Sequence, residues 1–187
     1  IFAALGAECT VLDYSEKQLE SERLVAEREG YAIEIIRADM TKPLPFADET
    51  FDLIFHPVSN CYVKEVKPIF KECARILKKG GVLLSGLDNA CAPNTCCEIP
   101  KNSTTKREKE EKIVHTMPFD PLVNEEHRKL LEETDCGMQF SHTVEEQIGG
   151  QLEAGLMLTH IYGDTNGEGR LHEMNIECYY ATRSVKP

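Results

Sequence analysis

Two aspartates, each at the end of a short apolar run, are the residues whose type and placement first suggest chemistry. Asp13 closes the run Cys9–Asp13, and Asp39 follows the run Ile33–Arg37. Such runs, rich in β-branched and apolar residues, are typical of buried strands. A carboxylate at a strand end either accepts hydrogen bonds from a ribose diol or caps the turn that follows. Two of them in successive strands favour a nucleotide-type ligand.

One helix-length segment connects the two runs. It begins at Ser15, which has the spacing of a capping box to Gln18, and it ends at Gly30. A strand, helix, strand unit of this kind almost always joins parallel strands. Ligands of open parallel sheets bind outside the carboxyl ends of the strands, so we expect Asp13 and Asp39 to face one crevice.

The next part of the chain continues the alternation of strands and helices. A third strand is predicted over 51–55, and it brings His56 to the same carboxyl edge because Pro57 holds this residue in extended backbone. An amphipathic helix is predicted over 63–78 and a buried strand over 82–85. The alternation predicts an α/β fold with a mostly parallel sheet.

The second half of the chain has a different pattern. Thr143 and Glu146 form a second capping box ahead of a helix, and strands are predicted over 156–162 and 176–183. These two strands are expected to pair antiparallel because the loop between them contains no helix. Between Asp88 and about Pro121 the polar, charged composition is typical of a solvated loop, although a position after a strand end also suits a substrate lid. A helix is predicted from Asn124 to about Thr134, and the segment 88–143 as a whole is the candidate lid.

Composition limits the classes of partner. The 187 residues suit one domain over 1–187, and the formal net charge of -11 argues against nucleic acid, whose affinity depends on clustered Lys and Arg. No apolar run approaches the length of a membrane span, and no signal-peptide pattern is visible. We therefore expect a soluble, cytoplasmic protein that acts on a small molecule, with no nucleic-acid or membrane partner and with its oligomeric state left open.

The cysteines and most of the histidines are not expected to act in a site. The eight cysteines form no C-x-x-C pair, and reduced thiols are expected. Cys91, Cys96 and Cys97 are the only cluster that suggests a metal, and adjacent cysteines rarely give tetrahedral zinc geometry, so no metal is predicted. Five histidines have no ligand spacing, namely His115, His127, His142, His160 and His172.

Four motifs together resemble a class I methyltransferase that uses S-adenosyl-L-methionine. They are Leu-Gly-Ala-Glu-Cys-Thr-Val-Leu-Asp-Tyr-Ser at 5–15, Arg-Ala-Asp-Met at 37–40, Leu-Pro-Phe-Ala-Asp-Glu-Thr-Phe-Asp-Leu-Ile at 44–54 and Arg-Ile-Leu-Lys-Lys-Gly-Gly-Val-Leu-Leu at 75–84. The resemblance implies a Rossmann-like, mostly parallel sheet with helices on both faces and a C-terminal antiparallel hairpin. It also implies that the family's first strand and glycine-rich turn would precede residue 1, so that the chain is truncated at its start.

The resemblance assigns the cofactor-binding residues. Asp13 would accept hydrogen bonds from the ribose hydroxyls, and Asp39 would accept one from the adenine amino group. The other contacts are implied to come from their neighbours and from the third strand, namely Tyr14 beside the adenine, Ala38 and Met40 flanking the ring, and the His56 carbonyl at the methionine end of the cofactor.

Methyl transfer from a sulfonium requires an in-line approach of the nucleophile, so positioning and exclusion of water are expected to dominate. A base is needed only for a protonated acceptor, and His56 is the candidate, with a histidine that bonds only locally as the alternative. Two other functions stay open, a nicotinamide-dependent Rossmann oxidoreductase, whose ribose carboxylate also ends the second strand, and a non-catalytic or truncated methyltransferase-like protein.

Overall fold

The computed structural model describes residues 1–89, 97–98, 112–113, 116–123, 125–133 and 138–187. The chain separates into two compact units, Ile1–Phe46 and Ala47–Pro187, which we describe in turn. Within the described residues, no helix combines the length and the apolar character that crossing a membrane requires.

Unit 1 is a strand, helix, strand motif. Strand β1 spans Cys9–Asp13, helix α1 spans Glu16–Glu29 and strand β2 spans Ile33–Arg37. The two strands pair in parallel, as the sequence predicted. Helix α1 buries Leu19 on its inner side and ends at Gly30, whose φ of 72° is the left-handed conformation that terminates helices.

Unit 2 contains the remaining elements. They are β3 (Phe51–His56), α2 (Lys67–Ile76), β4 (Leu77–Asp88), β5 (Cys97–Glu98), β6 (Lys112–Ile113), α3 (Glu125–Glu133), α4 (Gly150–Glu153), β7 (Met157–Asp164), α5 (Gly169–Glu173) and β8 (Tyr179–Val185). A single π-helical stretch, Glu145–Gly149, leads directly into α4. The main sheet has the order β3-β4-β8-β7, in which β3 and β4 are parallel and the other neighbours antiparallel, and β5 pairs with β6 in a separate two-stranded sheet.

The core of unit 2 lies between α2 and the sheet. Helix α2 contacts β4 and α4, and it buries Phe70 completely. Along β4, alternate residues such as Leu83 and Leu87 are buried, the period expected of a strand that packs on one face. The parallel pairs and the closing antiparallel pair of β7 and β8 confirm the predicted Rossmann-like α/β class.

Three sequence predictions need correction. Helix α2 covers Lys67–Ile76 rather than 63–78, because Leu77 already has extended backbone and pairs with Phe51. Strand β4 therefore begins before the glycines, and Gly80, at φ 76°, lies inside it rather than ahead of it. The loop between β7 and β8, expected to lack a helix, contains the short α5.

Of the remaining sequence predictions, one is confirmed by the structure and two are not tested. The capping box at Thr143 is confirmed, because Glu146 Oε2 accepts the Thr143 N–H at 2.8 Å and Thr143 Oγ1 accepts the Glu146 N–H at 3.1 Å. Within the segment 88–143, residues 90–96, 99–111, 114–115, 124 and 134–137 lie outside the described residues. The single domain over 1–187 and the role of this segment as a lid stay predictions.

Candidate functional site

The carboxyl ends of β1 and β2 meet at one edge of unit 1. The parallel register places Asp13 opposite Arg37. The backbone N–H of the next residue, Ala38, donates to the Asp13 carbonyl oxygen at 3.1 Å. Asp39 follows immediately, so the structure brings both predicted aspartates to the same edge of the β1–β2 pair.

One oxygen of the Asp13 carboxylate is engaged locally. Its Oδ1 accepts the N–H of Ser15 at 2.7 Å, and Ser15 Oγ accepts the N–H of Gln18 at 3.5 Å. The predicted capping box is therefore only half formed. The Ser15 N–H, which a capping box leaves to the Gln18 side chain, is bound to Asp13 because a carboxylate is the stronger acceptor.

The Asp39 carboxylate is engaged by the turn that follows β2. Its Oδ1 accepts the hydroxyl of Thr41 at 2.7 Å and the backbone N–H of the same residue at 2.8 Å. These bonds, the hydroxyl first, lower the pKa of Asp39 with help from the charge of Lys42, so the carboxylate is ionised at neutral pH. The flanking residues Ala38 and Met40 are half-buried.

One oxygen of each aspartate therefore caps the turn that follows its strand, which is the alternative to ligand binding that the sequence left open. Among the residues that the structure describes, Oδ2 of Asp13 and Oδ2 of Asp39 accept no hydrogen bond. A carboxylate has about four acceptor positions, so a cap on one oxygen is compatible with ligand binding through the other.

Arg37 is a residue of this edge that the sequence interpretation missed. Its Nε donates to the Tyr14 carbonyl oxygen at 3.2 Å, and its Cζ lies 5.7 Å from the centroid of the Tyr14 ring. Tyr14 is 68% exposed, and a cation over an exposed aromatic face contributes about 0.5 to 1 kcal/mol. Arg37 therefore holds Tyr14 at the end of β1. The predicted parallel pairing of the two strands places Arg37 opposite Asp13, and this position could have identified Arg37 as a residue of the site from the sequence.

His56 lies at the end of β3, in unit 2, and begins a chain of buried side-chain amides. Its Nε2 is 2.8 Å from Asn60 Oδ1, and Asn60 is fully buried. Asn60 Nδ2 donates to Gln147 Oε1 at 3.3 Å, and Gln147 Nε2 donates to the Asp88 carbonyl oxygen at 2.7 Å. We call these four groups the amide relay.

The carbonyl of Asp88 sets the direction of every bond in the amide relay. Because a carbonyl only accepts, Gln147 presents its NH2 group to Asp88 and its oxygen to Asn60. Asn60 then presents its oxygen to His56, whose Nε2 must carry the proton. Nδ1 of the neutral ring is left as an acceptor. Burial lowers the pKa of His56, although the bond to Asn60 opposes this effect, so the neutral ring is favoured.

His142, which was given no role from sequence, lies beside the amide relay. Its Nε2 donates to the Asn60 carbonyl oxygen at 3.0 Å, and the residue is 3% exposed. The backbone N–H of Phe140 also donates to the Cys61 carbonyl oxygen, so the chain before the π-helical stretch is bonded to the turn after β3. Nothing in the local sequence indicates that residues 140–142 pack against residues 60–61.

Asp88, the last residue of β4, adds a buried carboxyl group. It is 4% exposed, and in the described part of the chain its Oδ1 has no hydrogen-bond partner. Burial raises the pKa of Asp88, against the opposing charge of His142. The sequence interpretation missed this residue because it ended the strand three positions earlier.

The thiols do not form a reactive or metal-binding cluster in the parts that are described. Burial, with a smaller effect of the Asp88 charge, raises the pKa of Cys61 to about 11, and such a thiol is a poor nucleophile. Cys9, Cys61, Cys73 and Cys178 are free, and the described residues hold no group of three or more metal-ligating side chains. Cys91 and Cys96 lie outside the described residues.

Comparison with known sequences identifies relatives. A family described as "Methyltransferase domain" matches residues 1–85. The uncharacterized methyltransferase YbaJ of Bacillus subtilis (strain 168) is 39% identical over 189 residues, which cover 100% of this chain and 71% of the relative. Malonyl-[acyl-carrier protein] O-methyltransferase 1 of Coxiella burnetii is 34% identical over 95 residues, 46% of this chain and 33% of the relative.

Solved structures show the same fold. An S-adenosylmethionine-dependent methyltransferase from Mesorhizobium loti superimposes with a TM-score of 0.71 at 18% identity, over 95% of this chain and 80% of that one. Geranyl diphosphate methyltransferase in complex with S-adenosylmethionine gives 0.61 at 14% identity, over 97% and 70%. None of these matches supports the nicotinamide-dependent oxidoreductase.

The near-complete match to the Bacillus relative, the methyltransferase fold and the strand-end aspartates lead to one assignment. This chain belongs to the class I S-adenosylmethionine-dependent methyltransferase family.

Proposed function

We propose that the chain transfers a methyl group from S-adenosyl-L-methionine to a small-molecule acceptor and that Asp13 and Asp39 hold the cofactor. The observation that carries this site is the shared edge of β1 and β2, where the Ala38 N–H meets the Asp13 carbonyl oxygen at 3.1 Å. Two carboxylates on adjacent parallel strands suit a ligand that has a ribose at one end and a base beside it.

The donor and acceptor chemistry of the edge fits adenosine. Ribose hydroxyls and the adenine amino group are hydrogen-bond donors, and the Oδ2 atoms of Asp13 and Asp39 are acceptors. In the proposal Asp13 accepts from the ribose and Asp39 from the amino group. The apolar part of the ligand is assigned, from the family resemblance, to Tyr14, Ala38 and Met40, with the His56 carbonyl at the methionine end.

The protein residues act mainly by positioning. Bound S-adenosyl-L-methionine supplies a methyl group on a positively charged sulfur, and the reaction requires no covalent intermediate with the protein. The chain holds the reactants in line and excludes water. For a protonated acceptor, His56 is the candidate base, since its neutral ring keeps Nδ1 as a proton acceptor.

The acceptor is proposed to be a small molecule because the net charge of -11 disfavours a polyanionic substrate. The proposal treats 1–187 as one methyltransferase domain in which 88–143 is the acceptor-dependent segment. It places the reaction in the cytoplasm, in keeping with cysteines that form no paired motif.

Calorimetric titration of the protein with S-adenosylmethionine, S-adenosylhomocysteine and NAD tests the proposal. Binding of the first two and not of NAD is expected. Asp13→Ala should weaken binding by roughly 1.5 to 3 kcal/mol, the contribution of a charge-assisted hydrogen bond, which corresponds to about 10- to 150-fold in Kd.

Two further variants separate ligand binding from folding. Asp13→Asn keeps an oxygen for the Ser15 N–H and loses the charge, so it should lose affinity while the protein stays folded. Asp52→Asn is the matched control, because Asp52 is an exposed carboxylate of β3 that pairs with Lys78 at 2.9 Å. Heat with NAD alone, or with none of the three ligands, would refute the proposal, and the latter result would support a non-catalytic protein.

A further inference from the structure

A small cavity lies in unit 2 at the end of β4. Its volume is about 30 Å³, and its walls include Asp88, His142, Gln147 and Tyr180. A cavity of roughly 10 to 15 Å³ already holds one water molecule, so this one has room for a group as large as an amino group. Asp88 is the one carboxylic acid among the described residues of its wall, and its buried Oδ1 has no partner in that part of the chain.

Asp88 has no simple way to move its carboxyl group into bulk water. Its backbone pairs with Tyr179 in the β4–β8 ladder, and the next N–H, of Asn89, donates to the Cys178 carbonyl oxygen at 2.8 Å. Its own carbonyl is held by Gln147 at 2.7 Å. Asp88 is 4% exposed, and an unpaired carboxylate at such a depth costs several kcal/mol. Buried groups that carry such a cost are commonly functional.

No permanently charged side chain of the cavity wall faces this carboxylate; the one titratable base among the described residues of the wall is His142, whose charge lowers the pKa of Asp88 against the effect of burial. In the part of the chain that the structure describes, no lysine or arginine lines the cavity. His142 gives its Nε2 proton to Asn60, and the Tyr180 hydroxyl oxygen accepts from Asn89 at 3.3 Å. What remains is a carboxylate beside an aromatic ring, two groups that both attract a cation. The net charge of -11 also favours a cationic ligand.

We propose that this cavity binds an ammonium group of the methyl acceptor, with Asp88 as its counter-ion. Asp88 then determines specificity for an amine and orients it, while the methylated atom lies elsewhere in the acceptor. The identity of the ligand as the methyl acceptor rests on the proposed function, whereas the ammonium site itself rests on the cavity alone.

Small probes of equal length test the site. Propylammonium, propanol and propionate are titrated into the isotopically labelled protein, and the side-chain amide resonances of Asn89 and Gln147 are followed by NMR. Propylammonium should shift these resonances at a concentration about tenfold lower than propanol, and propionate should not shift them. This comparison uses the unsubstituted protein, so it does not depend on the folding of any variant.

Asp88→Asn keeps the shape of the side chain and should remove the preference for propylammonium over propanol. Asp164→Asn is the matched control, because Asp164 is an exposed carboxylate at the end of β7 and should leave the preference unchanged. Equal binding of propanol and propylammonium overturns the inference, as does an unchanged preference in Asp88→Asn.

The two proposals fail separately. If S-adenosylmethionine binds by calorimetry but the protein shows no preference for propylammonium, the ammonium site is refuted and the proposed function stands. If propylammonium is preferred but S-adenosylmethionine does not bind, the cavity is an amine site and the proposed function is refuted.

Discussion

Replacement of Gln147 tests whether the amide relay stabilises unit 2. Gln147 is 3% exposed, and its amide joins the Asp88 carbonyl oxygen at 2.7 Å to Asn60 Nδ2 at 3.3 Å. Methionine has a similar length and no hydrogen-bonding amide. Gln147→Met therefore leaves one buried carbonyl and one buried NH2 group without their partner. The bond from Gln151 Nε2 to the Gln147 backbone carbonyl oxygen persists, because it does not involve the Gln147 side chain.

The expected loss follows from these two groups. Each buried polar group that loses its partner costs about 1 to 3 kcal/mol, which gives about 2 to 6 kcal/mol for the pair. Burial of the more apolar methionine side chain offsets about 1 to 2 kcal/mol. With the middle of each range, the free energy of unfolding should thus fall by about 2.5 kcal/mol, a large part of the 5 to 15 kcal/mol typical of a domain.

Urea denaturation of Gln147→Met against the unsubstituted protein measures this change through the midpoint at constant slope. Gln18→Met is the control, because the Gln18 side chain is exposed on the first turn of α1 and its cap uses only the backbone N–H. The control should change stability by less than about 0.5 kcal/mol. A Gln147→Met protein that is as stable as the control contradicts the reasoning.

A second measurement addresses the direction of the relay. In the unsubstituted protein the nitrogen shifts of His56 should be those of a ring that is protonated on Nε2. In Gln147→Met the Asn60 amide is free to turn over, so a mixture of ring tautomers is expected. A His56 ring protonated on Nδ1 before substitution would contradict the assigned bond directions.

Two other predictions concern the same unit. Gly149→Ala and Gly150→Ala should change the free energy of unfolding in opposite directions. Alanine favours the helix at both positions by about 1 kcal/mol, but its Cβ at position 150 would lie only 3.0 Å from Cδ2 of the fully buried Phe70 ring. Thermal denaturation of both variants should show that Gly149→Ala gains stability and Gly150→Ala loses it. Asp88→Asn should stabilise the protein at neutral pH. Burial raises the pKa of Asp88 above 3.8, so the wild-type carboxyl favours folding below pH 3.8 and loses this contribution as the pH rises through its folded-state pKa. The advantage of the variant should therefore grow as the pH rises above 3.8. A difference in stability that is constant with pH would show that the carboxyl does not titrate as inferred.

The sequence alone determined the parts of the protein whose cause is local. Apolar runs, a serine cap and a terminal glycine predicted β1, α1 and β2, and thereby the edge that carries Asp13 and Asp39. The reciprocal bonds of Thr143 and Glu146 were predictable for the same reason, since all the groups involved lie within three residues. The limits of α2 were not, because pairing of Leu77 with Phe51 overrides helical periodicity.

Only the tertiary structure decided the amide relay and the cavity beside it. Asn60 and Gln147 are 87 positions apart, and Asp88 is 59 positions from Gln147. None of these residues belongs to a sequence motif that would identify it as part of a hydrogen-bonded network. They act together because a buried polar group needs a partner, and which partner it meets depends on how distant segments pack. The sequence therefore identified the family and the strand edge that carries Asp13 and Asp39, whereas the polar interior that surrounds His56 and Asp88 became visible only in the folded chain.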